Sequence, residues 1–281
     1  MTPKRSAVDG RRVLITGAAR GIGAAVARRL HERGARVALA GLEPERLAEV
    51  AAACGGAPWH ECDVGDLAQV DAAVAGCAGA LGGLDVVIAN AGVAAQLPLA
   101  GGDPAIFERT VRVNLLGTYY TLRAAAPHIA HPAGYALAVA SLAAALHGPL
   151  LGAYSATKAA VEALADTLRI ELHATGARVG CAYFAKIDTD MTERGFGTVA
   201  ASRLPDLPFA RVAPIATAVA AVERGVARRA RRVAAPGWVA AVLPARQLAQ
   251  RLVDLGARRG LPETLAIARS EAAPLTTRQP E

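Results

Sequence analysis

The sequence predicts an α/β protein built on a single doubly wound parallel sheet with helices on both faces. Three observations support this fold class. Short apolar runs alternate with segments of helical periodicity, which favours parallel strand pairing. The chain has 281 residues, 53% of them hydrophobic, which is enough for one large core or two modest ones. No linker interrupts the alternation between residues 11 and 235.

The predicted elements follow each other in order along the chain. Apolar runs predict seven strands, at 13–15, 36–40, 60–62, 84–89, 135–140, 178–184 and 233–235. Helical periodicity predicts the connecting helices, at 23–33, 44–53, 66–81, 105–126, 154–175 and 212–231. Gly34 and Gly176 follow two of these helices and mark their ends.

The ends of the chain and one internal segment do not fit this alternation. We expect a polar segment at 1–10, one domain at 11–235, and an extension at 236–281 that is frayed from residue 272. Residues 192–209 show little periodicity and contain Gly195, Gly197, Pro205 and Pro208. They predict a mobile loop with room for a short helix.

Composition narrows the class of partner and the location. The net charge is +7, but only 4% of residues are aromatic and none lies within the arginine cluster at 228–232. We interpret that cluster as a solvated helix end and expect no nucleic-acid partner. No run of about 18 apolar residues predicts a transmembrane segment. The four cysteines lack disulfide-framework or metal-site spacing, so we expect no metal site and a reduced, cytoplasmic location.

Residues 16–23 form a glycine-rich turn, T-G-A-A-R-G-I-G, between the first predicted strand and helix. Glycines permit a tight turn and let a pyrophosphate approach the amides at the helix start. The alternative is a tight turn that binds nothing. The pattern predicts a dinucleotide site that includes Gly17, Arg20, Gly21, Ile22 and Gly23.

The spacing T-G-x-x-x-G-x-G resembles that of the short-chain dehydrogenase/reductase family. Further elements of that family occur in the same order, and the tyrosine follows the serine by 13 positions: Asn90, Ala91 and Gly92, then Asn114, Ser141, Tyr154 and Lys158. The resemblance covers 11–235 and implies a Rossmann-like domain with NAD(P)-dependent oxidoreductase activity. It also implies a homodimer or homotetramer formed through the helices at 105–126 and 154–175.

Tyr154 and Lys158 are four residues apart in a predicted helix and therefore share one face. A nearby ammonium stabilises a phenolate, so we expect the pKa of Tyr154 to lie below its usual value of about 10. Tyr154 is thus the predicted general acid/base. A surface pair is the alternative for Y-x-x-x-K alone. The resemblance implies that Lys158 holds the nicotinamide ribose, that Ser141 bonds the substrate oxygen, and that Asn114 supports a water relay.

The choice of cofactor depends on the residues after the second predicted strand. Gly41 and Leu42 occupy the position where an acidic residue would favour NAD, and Arg20 is placed to pair with a 2′-phosphate. We therefore expect NADP, with NAD as the alternative through Glu43. Asp63 and Val64 match a family element near the adenine, although a loop-capping aspartate explains Asp63 equally well.

The family usually shows Pro-Gly after the sixth strand, where this chain has Phe184 and Ala185. The resemblance still assigns contacts with the nicotinamide carboxamide to Ile187 and Thr189. Phe184 is expected to narrow the nicotinamide pocket.

The residues after Ser141, 142–146, are apolar and contain no cation. They predict an apolar alcohol or ketone as the small-molecule substrate. Met191, Phe196 and Leu204 are placed to close over it, or belong to the core. The alternative function is a non-catalytic dinucleotide sensor, against which the intact Ser141, Tyr154 and Lys158 argue.

Overall fold

A computed structural model describes residues 6–196, 198–204, 211–258, 260–271 and 275–276. Its centre is a seven-stranded parallel sheet in the order β3-β2-β1-β4-β5-β6-β7. The strands are β1 (Arg12–Thr16), β2 (Arg36–Gly41), β3 (Trp59–Glu61), β4 (Val86–Ala89), β5 (Tyr135–Val139), β6 (Arg178–Phe184) and β7 (Arg232–Ala235). The predicted fold class is confirmed.

Twelve α-helices lie within the described ranges. They are α1 (Gly21–Glu32), α2 (Pro44–Ala53), α3 (Leu67–Leu81), α4 (Pro104–Val111), α5 (Gly117–Ile129), α6 (Gly152–Glu171), α7 (Asp190–Gly195), α8 (Val199–Ser202), α9 (Ile215–Arg228), α10 (Val239–Val242), α11 (Arg246–Ala257) and α12 (Leu261–Ser270). The helix predicted at 105–126 contains a π-helical turn at Arg112–Leu116, which joins α4 to α5. None of these helices is both long and apolar enough to cross a membrane.

The two faces of the sheet carry separate apolar layers. On one face, Leu30 of α1, Leu47 of α2 and Val226 of α9 pack in one buried cluster. On the other, residues of α3, α5 and α6 pack together, including Val74 and Val161. The strand order reverses between the neighbouring strands β1 and β4. Helix α1, which follows β1, and helix α5, which lies between β4 and β5 in the chain, pack on opposite faces of the sheet. Ligands of doubly wound sheets bind in the crevice at such a point, beyond the carboxyl ends of the strands.

The C-terminal extension packs on the same face as α6. Val239, Leu243 and Val253 belong to the buried cluster that contains Val161. Of the end expected to be frayed, the two described residues do not follow that expectation, because Leu275 packs against this cluster and Thr276 is buried. The rest of that end lies outside the described residues.

The segment predicted as a loop at 192–209 contains most of α7 and all of α8. Gly197, Pro205 and Pro208 lie outside the described residues.

An ion pair joins the first residue of β1, Arg12, to Asp85, the residue before β4. It lies at the amino ends of the strands, opposite the crevice. Asp85 accepts hydrogen bonds from the Arg12 backbone amide at 2.9 Å, from Nε at 3.0 Å and from Nη2 at 2.7 Å. The hydrogen bond from the Arg12 guanidinium lowers the pKa of Asp85. A carboxyl whose pKa is lowered by folding stabilises the fold above its unfolded pKa, and this contribution is lost as the pH falls through its folded pKa.

Replacing Asp85 by Asn should therefore lower the free energy of unfolding by about 2 kcal/mol at pH 7, because charge-assisted hydrogen bonds to Arg12 are lost. The loss should shrink as the pH falls from about 4 through the lower pKa of the folded state, because Asp85 itself then becomes protonated in the wild type. Urea denaturation of both proteins at pH 7 and below about pH 4 measures the difference in the free energy of unfolding.

The control is Asp71→Asn, which removes a half-exposed pair with Arg123. It should change the free energy of unfolding by less than about 0.5 kcal/mol. Equal losses in the two variants would contradict the assignment.

Candidate active site

One cavity of about 670 Å³ lies at the crevice between β1 and β4 and extends across β5 and β6. Most of the predicted site residues line it: Gly17, Arg20, Gly21, Ile22, Asp63, Val64, Asn90, Ala91, Gly92, Ser141, Tyr154, Lys158, Ile187 and Thr189. Gly23 and Asn114 are not among its lining residues. The predicted nucleotide and catalytic residues thus converge on one space.

The glycine turn brings the start of α1 unusually close to the strand ends. Gly17 has a φ of +64°, and a Cβ placed on it would lie 2.7 Å from the Cα of Ala91. A Cβ on Gly23 would lie 2.2 Å from the carbonyl oxygen of Gly17. Arg20 precedes α1 without capping it through its side chain, and no acidic residue occupies the first turn. This backbone fits an anion such as a pyrophosphate.

Asn90 ties the turn to β4. Its Nδ2 donates to the carbonyl oxygens of Thr16 at 3.0 Å and of Gly17 at 3.2 Å. The Thr16 hydroxyl in turn accepts from the backbone amides of Asn90 at 3.1 Å and Ala91 at 3.3 Å. Asn90 therefore fixes the separation of the two strand ends.

Asn114 lies in the π-helical turn and is fully buried. Its Oδ1 accepts from the Val93 amide at 2.8 Å, and its Nδ2 donates to the Val93 carbonyl at 2.9 Å and to Thr157 Oγ1 at 3.2 Å. The side chain thus joins the loop after β4 to α6. The predicted water relay through Asn114 stays a prediction.

Ser141 follows β5, and Tyr154 and Lys158 share one face of α6. Lys158 Nζ lies 5.7 Å from the centroid of the Tyr154 ring and donates to the Val139 carbonyl at 2.9 Å. Ser141 Oγ donates to the Phe184 carbonyl at 3.3 Å and accepts from the Ala143 amide at 3.1 Å. Tyr154 is 8% exposed and Lys158 is 3% exposed.

Burial dominates the electrostatics of this group. It raises the pKa of Tyr154, against a hydrogen bond with Ser141 that lowers it. It lowers the pKa of Lys158 to about 8. The expectation that the pKa of Tyr154 falls below its usual value is therefore wrong, because desolvation disfavours the phenolate more than its hydrogen bond with Ser141 stabilises it. At neutral pH the group presents a neutral phenol beside an ammonium.

Arg20 is engaged by carboxylates at the far end of the cavity. Its Nε donates to Glu43 Oε2 at 2.5 Å, its Nη2 contacts Glu43 Oε1, and its Nη1 donates to Asp190 Oδ2 at 3.1 Å. Glu43 immediately precedes α2 and also lines the cavity. The guanidinium expected to meet a phosphate thus already has two anionic partners.

Both carboxylate oxygens of Asp63 also accept hydrogen bonds from other groups of the protein. One carboxylate oxygen accepts from the Gly65 amide and the other from Arg109 Nη2, each at 2.8 Å. This arrangement matches the loop-capping alternative, and contact of Asp63 and Val64 with an adenine stays a prediction. Ile187 is buried, and Thr189 packs about 3.8 Å from the position of a Cβ on Gly21.

The sequence profile of the short chain dehydrogenase family matches residues 11–198, which include the glycine turn and Ser141, Tyr154 and Lys158. The chain belongs to this family.

Named relatives agree with this family assignment. The chain is 38% identical to the sex determination protein tasselseed-2 of Zea mays, over 64% of this chain and 56% of that protein. It is 36% identical to the L-fucose dehydrogenase of Oryctolagus cuniculus, over 61% of each chain. An uncharacterized oxidoreductase of Staphylococcus aureus is 34% identical, over 64% of this chain and 79% of its own. The matches thus span about three fifths of the first two relatives.

The end of the cavity away from Arg20 is largely apolar. Most of the residues predicted to line it do so: Leu142, Ala143, Leu146, Met191, Phe196 and Leu204. Ala144 and Ala145 of the predicted segment are buried and are not among the lining residues. The Phe196 ring meets the Tyr154 ring edge-on, with centroids 5.7 Å apart. Phe184 and the half-buried Lys186 also contribute to the lining.

Sequence reasoning missed two lining residues in the C-terminal extension, Val253 and Thr276. The four-residue spacing of Ala249, Val253 and Ala257 predicts a buried helix stripe and was a usable signal for Val253. No local pattern marks Thr276, because its burial depends on contacts with residues far away in the sequence.

Proposed function

We propose that the protein is an NAD(P)-dependent oxidoreductase that interconverts an apolar alcohol and the corresponding ketone, with Tyr154 as general acid/base. The observation that carries the proposal is the convergence of Ser141, Tyr154 and Lys158 on the cavity that also contains the glycine turn. A nucleotide site and a buried proton donor in one space are the two parts that such a reaction requires.

The residues present fit a nicotinamide dinucleotide. The glycine turn and the start of α1 would hold the pyrophosphate, Lys158 the nicotinamide ribose, and Ile187 and Thr189 the carboxamide. When bound, the reduced dinucleotide supplies the hydride that adds to the carbonyl carbon, and the oxidised form accepts it in the reverse direction.

Tyr154 supplies the proton in the proposed reduction. Its phenol donates the proton to the carbonyl oxygen as that oxygen becomes a hydroxyl, and the resulting phenolate lies near the Lys158 ammonium. Ser141 Oγ, which lies within reach of the phenol, orients the same oxygen. In the oxidation the phenolate takes the proton from the alcohol. The apolar lining beyond Ser141 supports an apolar substrate.

Replacing Tyr154 by Phe should reduce turnover of an accepted ketone by about a thousandfold, since only the general acid is removed. The dissociation constant of the reduced cofactor, measured by fluorescence, should stay within about twofold because the ring remains in place.

The matched control is Tyr119→Phe, since Tyr119 is exposed on α5 and does not line the cavity. Its turnover should be unchanged. Full activity in the Tyr154 variant would rule out the mechanism. A wild-type protein that binds the cofactor and turns over no carbonyl compound would instead favour the dinucleotide sensor.

The pKa values predict the pH dependence of the reduction. Tyr154 has a raised pKa and stays protonated, whereas Lys158, with a pKa of about 8, loses its charge above that pH. The kcat/KM for ketone reduction should be level below pH 8 and fall by about tenfold per pH unit above it. Steady-state kinetics across this range measure the effect.

A Lys158→Arg variant keeps its charge throughout and should lack the alkaline decline at whatever rate it retains. Wild-type activity that stays level well above pH 8 would show that the Lys158 ammonium is not required.

The choice between NAD and NADP is a separate proposal. The engagement of Arg20 by Glu43 and Asp190 supports NAD, the alternative in the sequence analysis, over NADP. A 2′-phosphate at this end would have to displace a carboxylate from Arg20 and lie near the negative charge of Glu43. The prediction of NADP from Arg20 alone stays untested.

Titration with NADH and NADPH should show tighter binding of NADH by the wild type. Glu43→Gln should shift the ratio of the two dissociation constants toward NADPH by about tenfold, because it removes a repulsive charge and releases Arg20. Glu45→Gln makes the same charge change at an exposed position of α2 and should leave the ratio unaltered. Preference of the wild type for NADPH would restore the original prediction.

We also propose that the protein self-associates. A homodimer or homotetramer through the helices that contain 105–126 and 154–175 is supported by the exposed apolar residues Tyr119 and Ile170 on them. The cytoplasmic location stays a prediction.

A further inference from the structure

The C-terminal extension is fastened to several walls of the cavity, and all of it lies beyond the matched family region. The first attachment is to the helix that bears the catalytic pair. Arg246, at the start of α11, donates to both carboxylate oxygens of Glu162, at 2.8 and 3.0 Å. Glu162 lies one helical turn beyond Lys158 on α6. The base of α11 is thereby fixed relative to the proposed proton donor.

The second attachment is to the segment that follows Ser141. Gln250 Oε1 accepts from the His147 backbone amide at 2.7 Å, and its Nε2 donates to the His147 carbonyl at 3.0 Å. His147 lies between two residues that line the cavity, Leu146 and Gly148. A reciprocal pair of this kind fixes both the position and the orientation of α11 against the segment.

The third attachment is near the end of the described chain. The Thr276 amide donates to the Ala94 carbonyl at 3.2 Å, and its Oγ1 accepts from the Ala94 amide at 3.1 Å. Upstream, the Glu271 carboxylate accepts from the Val199 and Ala200 amides at the start of α8, at 2.7 and 3.0 Å. The extension is thus bound to the loop after β4 and to the segment after β6.

These attachments place Val253 and Thr276 in the lining of the cavity, where they are 4% and 3% exposed. Val253 follows Gln250 by one turn of α11, so the wall that it forms is anchored on its N-terminal side by two side-chain contacts. A wall held in this way does not withdraw to make room for a larger ligand. Its shape therefore decides what fits.

We propose that Val253 and Thr276 form the wall that sets the size of the apolar group accepted at the substrate end of the cavity. This inference rests on the proposed alcohol or ketone substrate, and it makes these two residues specificity determinants. One methylene more or less in an apolar pocket changes kcat/KM by about tenfold or more. The volume of the side chain at position 253 should accordingly translate into the preferred length of the substrate chain.

The test uses full-length wild type and the variants Val253→Ala and Val253→Leu. Each is assayed with straight-chain methyl ketones from butanone to dodecanone. Val253→Ala should raise kcat/KM for the longest accepted ketones by about tenfold and move the optimum to longer chains. Val253→Leu should move it to shorter chains. The two opposite shifts distinguish a specificity role from general damage, which would lower all rates together.

The matched control is Leu252→Ala, at the neighbouring position of α11, which is 57% exposed and does not line the cavity. Its chain-length profile should equal that of the wild type. Unchanged profiles in both Val253 variants would overturn the proposal, as would an equal shift in the Leu252 variant.

A binding measurement keeps this proposal separate from the proposed reaction. Anilinonaphthalenesulfonate is bound to the protein, and the same ketones are used to displace it in the presence of reduced cofactor. If the wild type reduces none of the ketones, the proposed substrate class fails. Even then, the Val253 variants should differ from the wild type in the ketone chain length that displaces the probe best. If that chain length is the same in the variants and the wild type, the proposed role of Val253 is wrong.

Thr276 is tested by Thr276→Val, which leaves the buried Ala94 amide without its hydroxyl partner, and by Thr276→Ser, which retains the hydroxyl. The valine variant should raise KM for the longest ketones by about fivefold with an unchanged cofactor dissociation constant. Serine should restore the wild-type KM. A loss of cofactor binding equal to the loss of substrate binding would assign Thr276 a purely structural role and overturn its part of the proposal.

Discussion

The site depends on the junction between β1 and β4, where the doubly wound order reverses. Connections that leave these neighbouring strands for opposite faces open a crevice and leave strand-end groups without a ladder partner. Asn90 and Thr16 fill this need with hydrogen bonds across the gap. Gly17 permits the close approach that those bonds require. The glycine turn, the loop after β4 and the cavity are all positioned relative to this junction.

A second buried amide extends the same framework to the catalytic helix. Asn114 forms hydrogen bonds with both backbone groups of Val93 and with the hydroxyl of Thr157, and these bonds hold the loop after β4 to α6. Lys158 is the next residue, and its ammonium is held by the carbonyl of Val139. Tyr154 and Lys158 are buried within this framework, and burial shifts the pKa values of both. It keeps Tyr154 protonated and brings Lys158 close to losing its charge.

Sequence alone was sufficient for features that depend on local pattern. Apolar runs defined the seven strands, and the spacing of Tyr154 and Lys158 placed both on one helix face. It failed where distant segments meet. The direction of the Tyr154 pKa shift depends on desolvation by the whole fold, and the pairing of Arg20 with Glu43 and Asp190 joins three separate segments. The lining role of Thr276 depends on Ala94, 182 residues earlier.

The family match covers most of the cavity lining, but not all of its apolar end. Residues within 11–198 include the glycine turn and the groups proposed to act on the reacting carbonyl. At the apolar end, Leu142, Leu146 and Phe196 also lie within the match, whereas Leu204, Val253 and Thr276 lie beyond it. Similarity over the matched region therefore bears on the residues proposed to meet the reacting atoms, the cofactor and part of the apolar end, but not on Leu204, Val253 and Thr276. A relative's substrate is therefore a poor guide to the group that meets Val253 and Thr276. The contacts that hold the C-terminal extension against the cavity are the better guide to its size.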